Sequence, residues 1–215
     1  MLISSARGAL TVIVPLVTSD LDNRTYLVAD DASRRAFIID PSFSTAVIQR
    51  AAKDHRLKPV AIILTHGHFD HIAGIPALRP LPIWIHAGDA AMLRDPMLNG
   101  SWLFGAQWSP LEPERLLSDG ETLKLDDLAL RVIHTPGHSP GGITFAVNGD
   151  EALITGDLLF RGGVGRTDLL GGDMATLLAS IGRLMREFDD PPVHPGHGDS
   201  TTLDIERRTN PFLQV

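Results

Sequence analysis

The chain has 215 residues, 43% of them hydrophobic, with 19 basic against 26 acidic side chains and a formal net charge of −7. The acidic balance disfavours a nucleic-acid footprint. The absence of cysteine excludes disulfides, thiolate metal ligands and a cysteine nucleophile, and fits a reducing cytosol. No Pro/Ser/Gly-rich linker or charge block divides the chain, so one domain over 1–215 is expected. Met1 to Val17 lacks the long apolar stretch of a signal peptide, and no run is apolar enough to span a membrane, so a cytoplasmic protein is expected.

Leu10 to Val17, Tyr26 to Ala29 and Ala36 to Ile39 are β-rich and separated by Asp/Asn/Ser turn signals, which predicts an antiparallel start. Ser44 to His55 carries Ala46, Val47, Ile48, Ala51 and Ala52 at helical spacing, with Ser42 or Ser44 as the cap. Val60 to Leu64 reads as a buried strand, followed by a metal-binding loop and a helix from about His71 to Leu78. A short strand at Ile83 to His86 and a short helix at Gly88 to Arg94 come next. Pro96 to Pro113 is the longest irregular stretch, and its Trp102, Phe104 and Trp108 suit either a functional loop or a core cover. Strands resume at Glu121 to Leu125, Leu128 to Ile133, Ile143 to Val147 and Ala152 to Thr155. A glycine-dense loop, Gly162 to Gly172, leads to a helix capped by Asp173 and running to about Phe188. This order predicts two α/β halves stacked sheet to sheet.

The stretch Thr65-His66-Gly67-His68-Phe69-Asp70-His71 carries the chemistry. Residues two apart on an extended segment point the same way, so His66 and His68 can grip one cation. The turn into a helix sends Asp70 and His71 in another direction, which suits a second metal. The spacing is not the His-Glu-x-x-His of a helical zinc protease. Chance would supply His-x-His-x-Asp-His in about one chain in a thousand of this composition.

Three later points add donors at strand ends. Thr135-Pro136-Gly137-His138 and His194-Pro195-Gly196-His197 hold a histidine on a glycine-fixed turn. Thr155-Gly156-Asp157 adds a carboxylate whose two oxygens can bridge cations about 3.5–4 Å apart. Asp40, in Ile39-Asp40-Pro41, is expected to hydrogen-bond behind the metal loop, orienting its ligands. Arg161 and Arg166 are candidates for a substrate carboxylate, or else for loop ion pairs with Asp168 or Asp173. His55, His86, His134 and His194 read as structural or solvent-facing.

The set His66, His68, Asp70, His71, His138, Asp157 and His197 resembles the metallo-β-lactamase superfamily at every ligand position. The resemblance implies an α/β fold, an αββα four-layer sandwich with metals at the sheet edges. It places one cation on His66, His68 and His138, a second on Asp70, His71 and His197, and Asp157 between them. Asp22-Asn23 with Tyr26, Gly156-Asp157-Leu158-Leu159-Phe160, Gly165-Arg166-Thr167-Asp168 and Asn210-Pro211-Phe212-Leu213-Gln214 are similar to the short bacterial members of the glyoxalase II branch. That likeness implies a dinuclear hydrolase of S-2-hydroxyacylglutathione thioesters, a small-molecule partner. Its nucleophile would be a hydroxide bridging two divalent cations, Zn²⁺ or else Fe or Mn, with Asp70 and Asp157 as the catalytic carboxylates. Two departures stand out: no C-terminal helical domain follows, and Arg166 and Asp168 occupy places where the branch uses a Lys and a Tyr for glutathione. The rival within the same branch is a persulfide dioxygenase with one iron on His66, His138 and Asp157. A lactonase shares the dinuclear site, whereas many zinc β-lactamases use a cysteine ligand, which this chain lacks.

Overall fold

A computed structural model of the chain describes residues 2–4 and 10–214, with only the backbone for 2–4 and 10. The expected antiparallel start is present. β1 (Leu2–Ser4), β2 (Leu10–Val17), β3 (Arg24–Asp30) and β4 (Arg35–Ile39) pair antiparallel in succession. Helix α1 (Thr45–Asp54) then crosses to β5 (Lys58–Ile63), which lies parallel to β4. Ser44 precedes α1 without a side-chain capping bond. Ile48 and Ala52, four apart, are the residues α1 buries.

The helix expected from His71 to Leu78 is two short ones, α2 (Phe69–Ile72) and α3 (Ile75–Leu78). Gly74 breaks it, because its N–H donates to Pro41 O at 2.9 Å and a Cβ there would lie 2.9 Å from the same oxygen. Pro76 then lies at the start of α3, where a missing N–H costs nothing. Two parallel strands, β6 (Ile83–His86) and β7 (Arg115–Leu117), complete a seven-stranded sheet in sequence order. Between them a 3-10 helix covers Ala87–Leu93, α4 covers Pro96–Asn99, and a 3-10 turn covers Ser101–Phe104.

The second sheet holds six strands: β8 (Thr122–Leu125), β9 (Leu128–His134), β10 (Ile143–Val147), β11 (Ala152–Gly156), β14 (Pro192–Pro195) and β15 (Thr201–Thr202). A small hairpin of β12 (Leu159–Phe160) and β13 (Gly163–Val164) leads into the glycine-dense loop. Helix α5 (Met174–Glu187) is capped by Asp173, whose Oδ1 accepts from Thr176 N at 2.7 Å. It buries Leu177, Ser180, Ile181 and Leu184, one stripe at helical spacing. Helix α6 (Leu203–Thr209) follows β15.

Three apolar layers explain the stacking. Residues from both sheets, among them Val28, Phe37, Ile63, Leu130, Phe145 and Ile154, form one buried cluster between them. The outer face of the first sheet packs on Ile48, Ile72 and Ile75. The outer face of the second packs on Leu177, Ile181, Leu184 and Leu203. Both sheets are thus covered on both faces, which is why β10 and β11 are buried at every position rather than alternately. The architecture is an αββα sandwich.

Candidate metal centre

Parallel β4, β5 and β6 deliver Asp40, His66 and Asp89 just past their C-terminal ends. Strands β9, β11 and β14 run one way in the other sheet and deliver His138, Asp157 and His197 past theirs. Carboxyl ends of parallel strands are where loops converge without competing for ladder hydrogen bonds. Tyr26 ties the two edges together, its hydroxyl donating to Pro195 O at 2.6 Å. Arg24 N donates to Gly196 O at 2.7 Å beside it.

The seven expected ligands meet here. One group of mutually close donor atoms, all within 4.8 Å, comprises His66, His68 and His138; another comprises Asp70, His71 and His197. Asp157 reaches both. Its Oδ1 lies 3.4 Å from His71 Nε2, and its Oδ2 lies 3.6 Å from His138 Nε2 and 3.5 Å from His197 Nε2. A third close group, Asp40 with His66 and His71, overlaps these two.

Hydrogen bonds at the remote ring nitrogens decide which nitrogen each histidine presents. His138 Nδ1 donates to Arg166 O at 2.7 Å, and His197 Nδ1 to Leu21 O at 2.9 Å. His71 Nδ1 faces Asp40 Oδ2 at 3.2 Å. Thr65 Oγ1 donates to Asp40 Oδ2 at 2.5 Å, so it accepts from His66 Nδ1 at 3.0 Å. In all four the remote Nδ1 is held and Nε2 is turned toward the other donors, the orientation a metal ligand needs. His68 turns its Nδ1 inward, 2.8 Å from His138 Nε2. His66 Nε2, His68 Nε2 and Asp157 Oδ1 are buried with no hydrogen-bond partner. Buried acceptors without donors fit divalent cations, and an all-imidazole and carboxylate set without thiolate admits Zn, Fe or Mn.

The electrostatics separate the two groups. Burial, helped by the neighbouring imidazoles, holds His66 well below its ordinary pKa. The same causes, burial and then His138, bring His68 down to about 3. Both are therefore neutral and ready to ligate. Burial works against charge on His71, yet Asp157, Asp70 and Asp40 raise it to about 10. Burial likewise opposes charge on Asp70, but His71 and the bonds from His197 and Asn23 hold it far below the usual carboxylate range.

Two residues that the sequence motifs did not single out for this site complete it. Asn23, fully buried, donates from Nδ2 to Asp70 Oδ2 at 3.0 Å and lies 3.3 Å from His197 Nε2. Asp89, also fully buried, accepts from Gly67 N at 3.1 Å, Ser139 Oγ at 2.7 Å and Gly141 N at 2.6 Å. It thereby clamps the loop of His66 and His68 to the loop of His138. Its sequence signal was an aspartate just past a strand, as at Asp40 and Asp157. Asp40 itself bonds Thr65 N at 2.8 Å and Oγ1 as well as His71, behind the loop.

A cleft of about 510 Å³ opens onto the two groups, lined by Asp70, Asp157, His197, Leu21, Leu103 and Phe104 among others. Arg166 also lines it, but its guanidinium forks onto Asp168 at 2.6 and 2.7 Å. Arg161 lies in a neighbouring pocket, 3.6 Å from Asp199. His86 and His134 stack at 4.2 Å away from the ligand groups, and His194 bonds Ser200 Oγ at 2.9 Å.

Residues 20–198 match the family model of the metallo-β-lactamase superfamily. The hydroxyacylglutathione hydrolase GloC of Haemophilus influenzae is 36% identical over 193 residues, 87% of this chain and 91% of that protein. The crystal structure of the BLEG-1 B3 metallo-β-lactamase superposes with a TM-score of 0.89 at 34% identity, over 95% of this chain and 100% of that one. That of TTHA1623 in a di-iron-bound form gives 0.80 at 36% identity, over 93% and 100%. With the sandwich and the strand-end histidines in place, the match over most of the chain is decisive: it belongs to the metallo-β-lactamase superfamily.

Proposed function

We propose that the protein is a dinuclear thioester hydrolase of the glyoxalase II type. One cation is held by His66, His68 and His138, a second by Asp70, His71 and His197, with Asp157 between them. The observation that carries this reading is the set of remote-nitrogen hydrogen bonds that turn the inner nitrogens toward Asp157. The second group is as fully assembled as the first, which favours two metals over a mononuclear dioxygenase centre. The likeness to GloC supports a thioester, and a glutathione thioester in particular. The likeness to BLEG-1 supports a second reading, β-lactam hydrolysis at the same centre.

Bound there, divalent cations supply Lewis acidity and a water that ionises near neutral pH. The chain's own residues do the rest. Asp70 and Asp157, the proposed catalytic carboxylates, both line the cleft, where they would orient that water. Asp70 stays anionic because Asn23 and His71 stabilise its charge. Asp40, Arg166 O and Leu21 O keep the imidazoles from rotating. A thiolate, being a stable anion, departs without a dedicated acid.

The test is removal and return of metal. Chelator-treated protein is expected to lose hydrolysis of S-lactoylglutathione and regain it with Zn²⁺, Fe²⁺ or Mn²⁺, at two metals per chain. Full activity after demonstrated removal of all metal overturns the reading. Turnover of β-lactams but of no thioester replaces it with the second.

A further inference from the structure

We infer that the thioester cleaved at this centre carries an apolar acyl chain, seated against Leu21, Leu103 and Phe104. The inference rests on the thioesterase reading and narrows its substrate. Two cavities reach the metal groups and a third extends the first. The 510 Å³ cleft has Leu21, Leu103, Phe104 and Leu169 as its apolar wall. A groove of about 390 Å³ continues it past Leu21 and Phe104 to Phe43. A third cavity, of about 350 Å³, leaves from His197 in another direction, toward Arg161, Asp22 and Asp199. The first arm thus has one continuous apolar wall, faced in its outer groove by Thr18, Ser19, Asp20 and Ser44, while the other is lined mainly by charged groups.

Leu21, Leu103 and Phe104 are 53%, 50% and 45% exposed. Single exposed apolar side chains are ordinary, but several converging on one cleft mark a binding surface. The wall is held in place rather than draped. Buried Asn99 accepts from Ser101 N and donates to Met92 O, both at 2.9 Å, which fixes the turn bearing Leu103 and Phe104. The Phe104 ring lies 5.4 Å from Phe69, inside the histidine motif, and 5.8 Å from Phe43.

Apolar surface, not charge, decides which half of a thioester goes where. In the apolar arm the one cation, Arg166, is neutralised by Asp168, and the one charged group of the outer groove is Asp20. Neither offers a partner to the carboxylates of a peptide-like thiol. Arg161 in the third cavity is likewise paired, with Asp199 at 3.6 Å, so the apolar wall makes the assignment: the acyl chain lies against it and the polar thiol carrier outside it.

The experiment is calorimetry of metal-loaded protein with S-methyl-, S-butyl-, S-hexyl- and S-octylglutathione, thioethers that cannot be hydrolysed. It is paired with kcat/KM for S-acylglutathiones from acetyl to octanoyl. Affinity is expected to rise about twofold per methylene, half the effect of full burial because the cleft is open. Leu103→Ser and Phe104→Ser should flatten the series and lower the octanoyl-to-acetyl ratio of kcat/KM. Both positions are half exposed, so a thermal melt serves as the folding control. Turnover with no dependence on chain length, and flat binding, overturns the inference alone. Rising affinity with no thioester cleaved removes the thioesterase reading while keeping the apolar arm.

Discussion

Replacing Asp89 with alanine tests whether a buried carboxylate outside the ligand set holds the metal loops together. The side chain accepts three hydrogen bonds and has no exposure to solvent. In the variant, Ser139 can rotate its hydroxyl, but the Gly67 and Gly141 N–H groups cannot follow. A buried donor left unpaired costs about 1–3 kcal/mol. Burial raises the Asp89 pKa against the pull of its three donors, so removing the charge returns part of the loss. The net expected destabilisation of Asp89→Ala is about 3 kcal/mol. Asp89→Asn keeps the shape and can still accept from Gly67 and Ser139 with its one oxygen. Its amide then faces Gly141 N–H, and the expected cost is about 1–2 kcal/mol. Urea denaturation of the metal-free proteins measures both. Metal affinity at His66, His68 and His138 should fall about tenfold or more, since the clamp spaces their two loops. Asp89→Ala within 0.5 kcal/mol of the parent, as roughly the noise of a surface substitution, would refute the stability argument. Unchanged metal affinity in a destabilised variant would refute the clamp.

Three further outcomes follow from the same geometry. Burial holds the His194 pKa to about 4 against an ordinary 6.5. The unfolded chain therefore binds the extra proton first, and stability contributed by neutral His194 is complete above pH 6.5 and lost as pH falls toward 4. That loss amounts to roughly 3 kcal/mol, and denaturant midpoints of parent and His194→Asn between pH 4 and 7 should converge at the acid end. In Gly196→Ala the new Cβ falls on Asp157 Oδ1 and 2.8 Å from His71 Cε1, so metal content by elemental analysis should drop while circular dichroism keeps the fold's signature. Chelation should abolish turnover, and metal should restore it, as set out for the proposed activity.

The part of this centre that could be read from the sequence is the part built locally. His66, His68, Asp70 and His71 lie within one turn of chain, so spacing alone brings them together. His138, Asp157 and His197 were visible as donors at strand ends, yet only the family resemblance put them on the same cation pair. Asn23, part of a branch-like motif, and Asp89, an aspartate just past a strand, carried no signal that placed them at this centre. Asn23 meets His197 across 174 positions, and Asp89 meets Gly141 across 52. No local periodicity encodes a contact of that span. The broken helix at Gly74 failed for a related reason: apolar spacing continued through it, and what stops it is the backbone of Pro41 and Ser42 pressed against the glycine.

The aromatic loop shows why composition could not choose between cover and function there. Its residues take both fates. Trp108 packs onto the outer core of the first sheet, with Nε1 donating to Leu93 O at 2.8 Å. Phe104, four residues earlier, turns over the metal loop and lines the cleft. Burying an aromatic is favourable wherever it happens, so hydrophobicity is equally strong evidence for either position. The deciding factor is the path of the backbone, and Asn99 sets that path by bonding Met92 O and Ser101 N. Substituting Asn99 should therefore move Phe104 and Leu103 together while leaving Trp108 seated. The site and the fold divide at that one side chain.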